Sequence, residues 1–65
     1  MTYFRVIESV GPGYIHWNSI YSTWQAAWDY AKQCAPGAVR NGRVAVEECW
    51  RGERVRLIDQ NGDEQ

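Results

Sequence analysis

The sequence predicts an α+β fold: a single small domain, residues 1–65, with an antiparallel sheet of 3–4 strands packed on one α-helix. Three observations predict it. Residues near both ends alternate apolar with polar side chains, the period of a half-buried strand. One central segment repeats apolar residues at the three-four spacing of a helix. Turn signals separate these segments: Gly11-Pro12-Gly13, Pro36-Gly37, Asn41-Gly42 and Arg51-Gly52. The predicted order is β-β-α-β-β, or β-α-β-β if the second strand fails to pair.

Residues 2–10, "TYFRVIESV", are rich in aromatic and β-branched side chains and read as a strand. Phe4 and Val6 share one face, and Tyr3, Arg5 and Ile7 the other. After the Gly-Pro-Gly turn, residues 14–18 alternate again, with Ile15 and Trp17 opposite Tyr14, His16 and Asn18. They form a short second strand of a hairpin.

The helix is expected over 23–35, with the hydroxyl of Ser22 or Thr23 accepting a bond from an unpaired first-turn N–H. Trp24, Ala27, Trp28, Ala31 and Ala35 form its apolar stripe. Gln25, Asp29, Lys32 and Gln33 fall outside that stripe. Small alanines let the helix approach the sheet, and the indoles fill the remaining volume. Burying one indole contributes up to roughly 5 kcal/mol, from about 25 cal/mol per Å². Net stability at this length is only about 3–10 kcal/mol, so the two helix tryptophans belong in the core. Pro36-Gly37 stops the helix.

Residues 43–50 and 53–59 read as a hairpin joined by Arg51-Gly52. Val44, Val46 and Trp50 face the helix and can be joined by Val55 and Leu57. Arg43, Glu47, Arg51, Arg54 and Arg56 take the other face, where cross-strand charge pairs stabilise the sheet. Glu48 has the parity of Val46 and Trp50, and an unpaired carboxylate there is costly. Either a bulge shifts the register at Glu47-Glu48, or Glu48 lies at the rim of the core. Residues 60–65 read as a frayed tail.

Seven Lys or Arg against eight Asp or Glu give a net charge of −1, which excludes both a generic basic nucleic-acid binder and a DNA mimic that works by overall charge. The start "MTYFRVIES" lacks a charged segment before an apolar run, and no apolar stretch is long enough to cross a bilayer, so the expected location is the cytoplasm. Cys34 and Cys49 are then free thiols. His16 is the only histidine and, lacking close cysteine neighbours in sequence, reads as a half-exposed strand residue and not a metal ligand. Glu47 and Glu48 alternate across their strand and cannot flank one substrate. No nucleophile–base set is visible, so no enzyme activity, cofactor or metal is expected.

Function is therefore sought in binding. Asp29, Glu47, Glu48 and Asp59 are the candidate partner-binding residues by charge and expected exposure, since an acidic surface can steer encounter with a basic groove. Trp17, Tyr14, Tyr21 and Tyr30 are candidate interface anchors. Tyr3, Arg5, Arg54 and Arg56 can stack and neutralise a single strand of nucleic acid on the open sheet face.

From "MTYFRVIESVGPGYIHW" through "GRVAVEECWRGERVRLID", the chain resembles the small phage and mobile-element anti-CRISPR proteins, in particular the type I-C group. That resemblance implies a monomeric, host-cytoplasmic inhibitor. Such a protein binds a protein subunit of the type I CRISPR surveillance complex and stops it engaging target DNA, by phosphate mimicry or by steric blocking. The alternatives are a single-stranded nucleic-acid binding module, or a small structural or regulatory phage domain that pairs as a homodimer through the open face.

Overall fold

In the computed structural model, which describes all 65 residues, six elements follow one another: β1 (Thr2–Val10), β2 (Gly13–Tyr21), α1 (Trp24–Cys34), α2 (Pro36–Arg40), β3 (Val44–Trp50) and β4 (Glu53–Ile58). The four strands form one antiparallel sheet in the order β2-β1-β3-β4, and α1 packs on one of its faces, as the α+β prediction requires.

Both hairpins turn on two-residue loops whose backbone needs explain their sequences. Gly11 adopts φ +60° ahead of Pro12, and Arg51 and Gly52 adopt φ 54° and 83°. Left-handed backbone at these positions matches the twist of the flanking strands, and glycine reaches it without a Cβ clash.

The core is assembled from alternate strand residues and one helix stripe. Phe4, Val6, Val44, Val46 and Ile58 meet Ala27, Trp28 and Ala31 of α1 and Ala38 of α2. Trp28 is almost fully buried and its indole N–H donates to the Ile58 carbonyl at 3.1 Å, so its polar atom is satisfied inside the core. Trp24 lies half-buried against the same cluster. Thr23 caps α1, its hydroxyl accepting from the Ala26 N–H at 3.1 Å.

Four features differ from the sequence reading. First, β2 runs on to Tyr21, well past residue 18, and its pairing with β1 shifts between the Ile7–His16 and Arg5–Ile20 pairs. Second, Pro36 does not simply end the helical region but opens α2 at the first helical position, where its fixed φ suits a helix and its missing N–H costs nothing. Third, the bulge foreseen near Glu48 is carried by β4. Glu48 pairs with Arg56 but Cys49 with Arg54, leaving Val55 as the extra residue. One inserted residue reverses the faces that follow it. Ile58 therefore enters the core in place of Leu57, Val55 is exposed, and Arg56 moves to the helix side while Arg54 stays on the open face.

Fourth, the tail expected to fray over 60–65 folds back. The Asp59 carboxylate accepts from the Asn61 and Asp63 N–H groups at 2.9 and 3.0 Å. Glu64 bridges Ile58, and the Gln65 N–H donates to the Leu57 carbonyl at 2.9 Å. Gly62, at φ +89°, lies flat on the Trp24 ring; a Cβ there would sit 2.5 Å from Trp24 Cζ2.

Candidate functional site

The helix leaves one sheet face uncovered, and the alternation of each strand decides what that face shows. The pairs Tyr3–Cys49, Arg5–Glu47 and Ile7–Ala45 from β1 and β3 lie on it, and β2 adds Tyr14, His16 and Ile20. The bulge at Val55 delivers Arg54 to the same face.

At its centre stands Glu47, only 2% exposed and the one buried charged residue in the chain. Its two oxygens are shared among three side chains from three different strands, two arginines and a histidine. The Arg54 Nε–H donates to Oε2 at 2.6 Å, the His16 Nε2–H donates to Oε1 at 2.8 Å, and Arg5 NH2 lies 3.3 Å from Oε1. The His16 contact is an ion pair when the imidazole is protonated and a hydrogen bond from a neutral ring to the carboxylate otherwise. Tyr14 closes the group, edge-on to His16 at 5.6 Å between ring centres and with the Arg54 guanidinium 5.9 Å from its own.

Burial alone would push the Glu47 carboxyl up, but the hydrogen bonds from Arg54 and His16 outweigh it and hold the group below its ordinary value of 4.5. Desolvation likewise works against the Arg5 charge, yet the neighbouring Cys49 and Glu47 raise its guanidinium above the usual range. The result is a preorganised cluster: one buried anion fixing two guanidinium groups and an imidazole that remain partly open to solvent.

The four acidic residues singled out from the sequence do not form a surface. Glu47 has the predicted face but is enclosed by cations, so it cannot meet a partner as an exposed carboxylate. Glu48 projects to the helix side, half-buried, with Arg56 Nε 3.4 Å away. Asp59 spends its carboxylate on the tail turn. Asp29 alone of the four is exposed, on the outer side of α1. Of the four proposed nucleic-acid residues, Tyr3, Arg5 and Arg54 share the open face, and Arg56 does not.

Trp17, Tyr21 and Tyr30 pack together on the helix side, Tyr30 lying 5.9 and 5.8 Å from the other two rings. Trp17 also donates its indole N–H to Glu8 at 3.2 Å. Tyr14 is the exposed member of the anchor set that lies on the open face. Cys34 is exposed and Cys49 buried, and both are free thiols. No group of three or more His, Cys, Asp or Glu side chains is placed to hold a metal ion, and no helix is long and apolar enough to cross a membrane.

The cluster was missed in sequence because its members lie far apart in the chain. The available signal was shared parity: Arg5, His16, Glu47 and Arg54 all take the non-helix face once the strands are paired. Comparison with protein families, curated proteins and solved structures finds no match to this chain.

Proposed function

We propose that this protein acts by stoichiometric binding, as a non-catalytic inhibitor of a type I CRISPR surveillance complex of the I-C kind, in the host cytoplasm. Its docking surface is the open sheet face around Tyr14, Arg54, His16 and Arg5. The target rests on the resemblance of residues 1–59 to that inhibitor group. The single observation that carries the choice of face is the buried Glu47 holding Arg5, Arg54 and His16 in place on a sheet surface with no second layer.

Preorganised side chains lose little rotamer entropy on binding, so such a face is suited to recognition. Its cationic character favours an acidic surface on a protein subunit, with target DNA kept out by steric blocking. Phosphate mimicry loses its support, because the four carboxylates are dispersed or enclosed.

The test is a pull-down with the surveillance complex together with a DNA-binding assay. Tyr14→Ser and Tyr3→Ser leave the Glu47 contacts intact and should weaken both association and inhibition. Asp29→Lys should change neither. No association of the wild-type protein at micromolar concentration defeats the target; full inhibition by the tyrosine variants defeats the face.

One observation favours a second reading. Tyr14 beside Arg54 and His16 on an open antiparallel sheet is also an arrangement on which bases stack while cations meet phosphates. Binding of a single-stranded oligonucleotide that falls steeply with salt supports it. Absence of binding at low salt ends it.

A further inference from the structure

The two outer strands of the sheet are built differently. β4 carries Glu53, Arg54 and Arg56 among six residues, contains the bulge at Val55, and has tail residues Glu64 and Gln65 bonded at its last residues. Charges, bulges and covering segments are the devices that stop a strand edge from pairing with another chain. β2 also bulges, residues 17–19 standing against Val6 of β1, but it has neither charges nor a covering segment on its outer side. Its nine residues, "GYIHWNSIY", include no Asp, Glu, Lys, Arg or Pro.

The direction of its free backbone groups follows from the ladder. Ser9 N–H points to β3, donating to the Arg43 carbonyl at 2.8 Å. Alternation along β1 then turns Glu8, Val10 and Phe4 toward β2, where they pair with Ile15, Gly13 and Tyr21. Even-numbered β2 residues therefore direct their N–H and C=O groups outward: Tyr14, His16 and Ile20, with Asn18 in the interrupted stretch between them. Their side chains are apolar or neutral where they are most open, Ile20 being 65% and Tyr14 55% exposed. On the helix side of this edge a trough of about 480 Å³ runs along residues 15–19 and ends at Tyr30 and Cys34.

We infer that β2 pairs antiparallel with β2 of a second copy of this chain, about a two-fold axis through Trp17. Opposed residues must share a face, and the bonded pairs must join residues whose free groups point outward. The register centred on Trp17 satisfies both at Tyr14, His16 and Ile20, on either side of the bulged residues 17–19. It sets Tyr14 against Ile20 of the second copy and His16 against Asn18, and it places the two Trp17 residues beside each other over the troughs.

Of the two edge strands, β4 carries Glu53, Arg54 and Arg56, whereas β2 paired with itself sets no Asp, Glu, Lys or Arg against another. Exposed Tyr14 and Ile20 become a cross-strand apolar pair, formed twice by symmetry. This departs from the monomer and from the open-face homodimer expected of the sequence, and it is independent of any target.

Sedimentation of the isolated protein tests it. The mass should rise with concentration from 7.5 kDa toward twice that value. A single monomeric species up to several hundred micromolar overturns the inference. Tyr14→Lys combined with Ile20→Lys places like charges opposite each other and should weaken the dimer by roughly tenfold or more. Tyr14→Lys combined with Ile20→Glu places opposite charges there and should recover most of the loss. Both positions are exposed, and circular dichroism confirms that the fold is kept. A dimer unaffected by the first variant, or not recovered by the second, overturns the proposed pairing.

Discussion

Replacing Glu47 by Ala removes the anion from between Arg5, Arg54 and His16 and leaves nothing to take its place. Truncating one partner of a fully buried ion pair costs about 3–5 kcal/mol, because the remaining charge stays desolvated. Here the partners are not fully buried: the side chains of Arg5, His16 and Arg54 are 25%, 38% and 38% exposed, so water can take over part of their solvation. That lowers the expected loss to roughly 2–3 kcal/mol. A domain of this length has only about 3–10 kcal/mol in total, so the effect is a large share of it. Urea unfolding followed by tryptophan fluorescence measures the change, since Trp28 is buried in the folded state and reports its loss. The midpoint should fall well below that of the wild type with the slope unchanged. A variant that unfolds within about 0.5 kcal/mol of the wild type, the range of an ordinary surface substitution, refutes the view that Glu47 is clamped inside the sheet face.

The same carboxylate sets an acid limit. Its folded-state value lies below the ordinary 4.5, so the folded protein binds fewer protons there than the unfolded chain. Its stabilisation is complete above that ordinary value and disappears as pH falls through the depressed one; Glu47→Gln should flatten this limb of the urea midpoint against pH. Trp28→Phe removes the donor to the Ile58 carbonyl and leaves space in the core, for an expected loss of about 2–4 kcal/mol by thermal or urea unfolding. Gly62→Ala combines an unfavourable φ with a clash against Trp24, and should lift the tail at a cost of about 1–3 kcal/mol. Amide exchange then accelerates at Gln65 and Asp63, while the α1 amides keep their protection.

Much of the architecture was legible because local rules sufficed for it. The alanine and tryptophan stripe, the Thr23 cap and the glycine turns each act over a few residues, and they define α1 and both hairpins. The rest depends on distant partners. The short second strand was expected to end at Asn18, yet β1 offers Phe4 and Arg5 as ladder partners beyond it, so β2 continues to Tyr21. Pro36-Gly37 is a valid stop signal and an equally valid first turn, and docking of Ala38 in the core selects the second. Parity put Glu47 on the correct face but could not reveal its enclosure, which requires side chains from β1, β2 and β4 at once. Arg54 and Arg56 share a parity in sequence, and only the paired register shows Val55 standing between them as an extra residue. Residues 60–65 are polar enough to fray, and what holds them is a flat glycine against an indole.

The guarded rim at β4 has a consequence for how large any assembly can become. A sheet that accepts neighbours on both sides can extend indefinitely into ribbons, whereas one that is sealed along one margin has a single valence. Whatever joins this molecule at β2, the growth ends there, and a concentrated solution should hold small closed particles instead of fibres.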